Sequence, residues 1–283
     1  MNKIIDSFFA NITKSSALLS LIILAAIMSI LFFEALPAME EFGFSFISND
    51  KWAPNKEIFG GFPSIAGSFI STFIAMLLAV PIAIGIAIFL SEIATKKTKS
   101  AIGVSIELLA AIPSVIYGMW GLFYFAPIIR DVFGGNGIGM LTAGIVLAVM
   151  ILPFIAAISR DAMNTTPDIL KESAYALGAT KWDVIKDIII PFAKTGVIGS
   201  IILAIGRAMG ETMAVTFVMG NVHKISTDLT LASTNIPTTL ANEFAEAEGG
   251  LHYSSLFYLA FVLFTMSFAT IFASKMLLLR NSK

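Results

Sequence analysis

Apolar and polar positions fall along this chain in long blocks, without the alternating or one-sided rhythm of a soluble domain. Six apolar stretches stand out, at about residues 17–33, 64–91, 108–129, 138–159, 192–219 and 253–279. A helix crossing the hydrocarbon core of a bilayer takes about 20 mainly apolar residues, so six spans are predicted and strands are not. Pro81, Pro113 and Pro153 lie inside three of these stretches. Intramembrane proline is tolerated where neighbouring groups take up the freed carbonyl. The first stretch, Ala17–Phe33, has no charge and no A-x-A cleavage signal after it, and it exceeds the apolar core of a signal peptide; it is expected to stay as an anchor. Before it, in segment 1–16, Ile4, Ile5, Phe8, Phe9 and Ile12 repeat at helical spacing opposite Asp6 and Lys14. That pattern predicts an amphipathic helix lying on the membrane face.

The polar blocks between the spans differ. Glu34–Pro63 is acidic and rich in glycine, proline and aromatics, which suits an ordered cap. Asn221–His252 is rich in Ser, Thr and Asn, with Glu243, Glu246 and Glu248 on a predicted short surface helix. The block 160–191 carries helix punctuation. Thr166-Pro167-Asp168 reads as a start, with a hydroxyl cap, proline at the first helical position and an acid in the first turn. Gly178 suits a left-handed stop, and Thr180 with Asp183 resembles a capping box for a second helix running through Val184, Ile185 and Ile188 to Pro191. A helix–turn–helix hairpin is predicted. Capping signals alone do not separate a docking knob from a structural re-entry loop.

Composition narrows the class. Of 283 residues, 57% are hydrophobic and 13% charged. Soluble domains carry roughly 25% charged residues, so these charges cannot cover a globular surface, and disorder needs the opposite balance. A polytopic membrane protein remains, with a six-helix transmembrane domain over 17–283. The net charge of −1 provides no global field for nucleic acid. The lack of cysteine excludes disulfides, thiolate metal sites and cysteine nucleophiles. His223 and His252 lie far apart, without partners at metal-ligand spacing, and read as ordinary loop residues. Placing both termini in the cytoplasm puts 13 of the 18 basic residues on that side, among them Lys96, Lys97, Lys99, Lys171, Lys181 and Lys186. That excess sets the expected orientation.

One charge pair falls inside a span. Arg207 and Glu211 stand at i and i+4 within Gly206–Thr212 of the fifth stretch. A charge near the bilayer centre costs about 2.5–3.5 kcal/mol even on the lenient insertion scale, so it must face protein or a water-filled path. Either the two form an ion pair that fixes helix packing, helped by the close-contact spacing of Gly206 and Gly210, or Arg207 offers its fork to an oxyanion while Glu211 orients and partly neutralises it. Enzyme chemistry lacks its parts: there is no H-E-x-x-H, no paired intramembrane aspartates and no G-x-x-x-x-G-K-[ST] phosphate loop. A gradient-driven transporter would show repeats between halves and more intramembrane carboxylates. Without a phosphate loop, energy must come from a partner or an ion gradient.

The spacing Glu172-Ser173-Ala174, Gly178, Ile188, Pro191 resembles the EAA signature of ABC importer permeases, E-A-A, three residues, G, nine residues, I-x-L-P, with Ser173 and Ile190 as small departures. The segments GRAMGETMAV (206–215) and ELLAAIPSVIYG (107–118) are similar to those of phosphate-specific ABC importers, of the PstC type and not the PstA type, over nearly the whole chain. The resemblance implies the type I importer permease fold and a transport subunit without enzymatic activity or cofactor of its own, in the cytoplasmic (inner) membrane. It further implies a heterodimer with a sister permease (PstA-like), two copies of an ATPase subunit (PstB-like) and an outer phosphate-binding protein (PstS-like). Glu172, Ala174, Gly178, Ile188 and Pro191 would form the ATPase contact, and Arg207, Glu211 and Thr212 would line the substrate path. Sulfate and molybdate permeases share the EAA loop and a tetrahedral cargo and stay open as the alternative. Glu107 is expected to cap the third helix, beside Lys99.

Overall fold

The computed structural model describes the backbone of residues 2–280 and the side chains of residues 6–276. Its helices are α1 (Asn2–Phe42), α2 (Ser45–Ser48), α3 (Phe62–Ile88), α4 (Lys96–Ala110), α5 (Ser114–Trp120), α6 (Ala126–Phe133), α7 (Met140–Asn164), α8 (Asp168–Ala176), α9 (Lys181–Val184), α10 (Ile190–Met209), α11 (Met213–Met219), α12 (Ile236–Glu243) and α13 (Gly250–Arg280). Among the described residues the only β contacts are two isolated bridges. Five helical stretches are long and apolar enough to cross a bilayer. A sixth span results if α4 and the run Ser114–Phe133, bent by 92°, are taken together. The molecule is an all-α membrane bundle.

The centre is built on α3 and α7. Ala75, Ala79, Ala83 and Ala87 form a fully buried stripe along α3, and Leu147, Ile151 and Ile155 of α7 are buried too. A small-residue stripe lets two backbones approach closely, the main source of helix association where lipid is as apolar as leucine. Gly144 of α7 completes the fit, since a Cβ there would meet Ile74. The cluster extends to Tyr117, Ala208, Ala214, Val215 and Val218. A second cluster joins Ala35, Phe46, Phe59, Ile236 and Tyr258 at the end that carries α2 and α12. A third, with Ala87, Met163, Val184, Ile185 and Ile189, closes the opposite end. Large apolar side chains such as Leu21, Ile22, Phe69, Phe73 and Leu77 stay exposed on the outside, as a lipid-facing surface requires.

Three expected elements differ. The first is the separate surface helix over 1–16. Instead α1 runs unbroken from Asn2 to Phe42, collinear with the first span, because no glycine or proline before Pro37 turns the chain. Phe8 and Phe9 point outward, while the side chains of Ile4 and Ile5 lie outside the described residues. The second is the span 108–129, which breaks at Ala111–Pro113. Proline disfavours helical geometry at the residue before it and has no N–H to donate. The Leu109 carbonyl, its missing partner, accepts instead from Ile112 N (3.2 Å) and Tyr117 Oη (2.7 Å).

The third is the fifth span, which is interrupted at one end and extended at the other. Helix α10 stops at Met209, and α11 starts at Met213. At its other end α9 flows into α10 through a π-helical turn, Ile185–Ile189, so Lys181–Met209 is one stretch. Pro191 explains the widened turn: it cannot donate to the Asp187 carbonyl, and Ile190 N reaches back to Ile185 O. The same device precedes Pro127, where Ala126 N bonds Gly121 O. The predicted hairpin over 160–191 is therefore one free helix, α8, followed by the end of a span.

Candidate functional site

Arg207 sits in the last turn of α10 with its side chain exposed. A cation there complements the negative end of the helix. Gly210 turns the chain, Glu211 and Thr212 follow, and α11 restarts. The break separates the charges that a continuous helix would have stacked. Among the described residues Arg207 has no ion-pair partner. Glu211 turns the other way, where its Oε1 accepts from Ala214 N (3.2 Å) at the start of α11. The expected Arg207–Glu211 pair is thus replaced by a capping carboxylate and a guanidinium free of any acid. Thr212 caps nothing with its side chain, but its carbonyl accepts from Thr216 Oγ1 (2.8 Å).

The fold brings the two signature segments together. Helix α5 packs on α11 so closely that a Cβ on Gly118 would lie 2.7 Å from Ala214 O and 2.9 Å from Met213 O. Only glycine permits that approach. The second pieces of two broken spans thus pack on each other, and Arg207 stands in the last turn before one of the breaks. Glu107, expected near Lys99, instead accepts from Arg160 Nη2 (3.3 Å), while Lys99 Nζ donates to Asn164 Oδ1 (3.0 Å).

At the α8 end the local signals build a compact corner. Gly178 N bonds Tyr175 O and Ala179 N bonds Ala174 O, both at 3.0 Å, with Gly178 at φ +87°. This is the six-to-one and five-to-two pair of a Schellman stop, which needs a left-handed residue. Thr180 and Asp183 form the capping box. At the start of α8 the expected hydroxyl cap is absent: Pro167 occupies the cap position, and the Thr166 hydroxyl is buried without a partner. Glu172, Gly178 and Pro191 are exposed. Ala174 and Ile188 turn inward to one apolar cluster, so the structure joins these two and leaves the others facing out. Ile169, Leu177 and Trp182 add an exposed apolar knob.

The opposite end holds a cluster that the sequence reading missed. The Glu243 carboxylate lies 2.6 Å from His223 Nε2 and 2.9 Å from His252 Nε2, and accepts from Trp52 Nε1 at 2.7 Å. Trp52 stacks on His223, and Phe59 on His252. The two histidines are not ordinary loop residues; with one acid they tie three segments. Burial alone would raise the Glu243 carboxyl, but the hydrogen bond and charge of His223, with hydrogen bonds from Trp52 and His252, bring it below its ordinary value. No local spacing announces this cluster, since Trp52 lies 191 residues from Glu243.

An all-α bundle of long apolar spans, broken beside a free cation and carrying a protruding helix at one end, is the fold of a membrane transport permease. Residues 57–278 match the family described as binding-protein-dependent transport system inner membrane component, and the chain belongs to that family. It is a multi-pass inner-membrane protein and a subunit of a binding-protein-dependent transport system, not itself an enzyme. It is 43% identical to the phosphate transport system permease protein PstC of Mesorhizobium japonicum, over 97% of this chain and 90% of that protein. To the protein of the same name from Pasteurella multocida it is 44% identical, over 99% and 93%. Among solved structures, a bacterial ABC transporter involved in the import of the acidic polysaccharide alginate is similar in fold, with a TM-score of 0.61, 15% identity, and coverage of 95% of this chain and 98% of that one.

Proposed function

We propose that this chain is the permease subunit of an ATP-driven importer of inorganic phosphate. The observation that carries the reading is the Arg207 guanidinium, without an ion-pair partner among the described residues, at the helix break of one signature segment, a segment that packs against the other. Its planar fork suits the oxygens of a tetrahedral oxyanion, and the names of full-length relatives favour phosphate over sulfate or molybdate. Arg207 lowers the barrier to an anion passing through a low-dielectric interior, and Glu211 and Thr212 shape the chain break that presents it. The path lies against a sister permease of the PstA type. Two ATPase subunits of the PstB type dock on α8 through the exposed Glu172 and Gly178, backed by Ala174, Ile188 and Pro191. A phosphate-binding protein of the PstS type delivers cargo at the end formed by the cap 34–63 and the segment 221–252. Both termini face the cytoplasm, on the side richer in lysine and arginine.

The test is uptake of labelled phosphate by vesicles that hold the assembled complex, with ATP inside the compartment that carries the ATPase and the binding protein on the other side. Competition by unlabelled phosphate but not by a hundredfold excess of sulfate or molybdate is expected. Competition by sulfate or molybdate at equal concentration would transfer the assignment to another oxyanion.

A further inference from the structure

Helix α8 is held to the rest of the molecule by little. None of its residues is buried; Ala174 packs on the apolar cluster beneath it, and one side chain reaches further. Lys171 Nζ lies 2.7 Å from Glu92 Oε1, with the two side chains 17% and 11% exposed. Among the described residues the one other acid within 4 Å of Lys171 Nζ is Asp168, at 3.9 Å and 87% exposed, so it is a solvated neighbour. Among the described residues this is the one ion pair that joins α8 to a membrane span. Arg160, on the same end, links α7 to Glu107 of α4, and among the described residues it pairs with no acid of α8.

Glu92 belongs to the π-helical turn Phe89–Ile93, which continues α3 without a break. A single π-helical turn in a longer helix is found frequently at functional sites. From there α3 runs 27 residues to Phe62, about 40 Å at 1.5 Å per residue. Its far end grips the opposite pole through hydroxyls. Ser64 Oγ meets Thr239 Oγ1 at 2.9 Å, Ser68 Oγ accepts from Ile236 N at 3.0 Å, and Gly67 gives Thr234 O room to approach. One packed helix therefore has the docking helix on its near end and the α12 segment on its far end.

We propose that the Lys171–Glu92 pair is the tie that passes movement of α8 to α3, and through α3 to the hydroxyl clamp on α12 at the opposite face of the membrane. The proposal rests on the reading of α8 as the ATPase dock. The methyl contact of Ala174 transmits a push but slides under a pull. A desolvated ion pair resists both, because separating two charges away from water leaves each without its partner. Rigid, continuously packed elements are the means by which distant sites are energetically linked. Lys171 and Glu92 are positioning residues: neither touches the transported ion.

The experiment uses the assembled importer in vesicles and reads ATP hydrolysis, uptake and complex yield together. The neutral pair Lys171→Met with Glu92→Gln removes both charges, so none is stranded. It is expected to assemble at wild-type yield and to hydrolyse ATP, while moving about tenfold fewer ions per ATP, within the usual 5- to 150-fold range of linkage effects. The exchange Lys171→Glu with Glu92→Lys is expected to recover most of that ratio. A neutral pair with the wild-type ratio overturns the proposal. So does a neutral pair that fails to assemble, which makes the contact purely structural, or an exchange that recovers nothing. The reading beneath is judged separately, from wild-type uptake of phosphate and from ATPase binding by Gly178 variants; the ratio of ions to ATP can be taken with whichever oxyanion the wild type carries.

Discussion

Replacing Gly178 by alanine isolates one physical quantity. The residue closes α8 at φ +87°, and a Cβ built there meets nothing within 4 Å. Steric overlap with neighbours is absent, and the whole cost is that of a left-handed backbone for an L-residue, about 1–2 kcal/mol. How much of this reaches the dock depends on how firmly α8 is held. It has no buried residue and leans on Ala174 and the Lys171 ion pair, so the strained corner can relax in the free permease and must be re-formed on docking, which passes the cost into binding. At about 1.4 kcal/mol per factor of ten, the affinity of the permease for its ATPase should fall roughly 5- to 30-fold. Asparagine tolerates the left-handed region better, so Gly178→Asn should lose only a few-fold. The assay is a titration of purified ATPase against the permease in lipid nanodiscs. Two results would refute the reasoning: unchanged affinity for Gly178→Ala, or equal losses for Ala and Asn, which would place the effect in contact chemistry and not in the backbone.

Arg207→Gln should abolish uptake while complex yield stays at the wild-type level, because the structure leaves no acid stranded by its loss; adding Glu211→Gln should not rescue it. Restored uptake in that double variant, measured in the same membranes, would show that the two charges act as a pair after all. Gly118→Val should lower stability by about 1–3 kcal/mol through overpacking, since its Cβ falls on the α11 backbone; thermal unfolding in detergent reads this, and an unchanged transition argues against the close α5–α11 contact. Glu243 titrates below its ordinary value of 4.5 when folded, so it stabilises the fold above that pH, and the contribution is lost as pH falls through the lowered value. Unfolding temperatures followed downward from about pH 6 should drop on the acid side in the wild type and drop less in Glu243→Gln; parallel curves would remove Glu243 as the cause.

Much of this protein was legible in the sequence because the bilayer imposes a one-dimensional rule. Length and apolarity alone mark the spans over 64–91, 138–159 and 253–279, and the helices there run as α3, α7 and α13. Capping is equally local: Gly178, Thr180 and Asp183 act within four residues, so their pattern foretold the corner after α8. Proline was half-legible. Pro113 and Pro191 announce a missing donor, but whether the helix bends by 92° or widens into a π-turn depends on who takes up the freed carbonyl, such as Tyr117 for Leu109. The pairing of charges was decided only in three dimensions. Arg207 and Glu211 share a face on an ideal helix, and the break at Gly210 parts them. Lys171 and Glu92 lie 79 residues apart, and Trp52 and Glu243 191 apart, yet both pairs are in contact. Hydrophobic thickness and backbone capping act along the chain and can be read there, whereas a side chain finds its charge partner across packed helices, where sequence spacing says nothing.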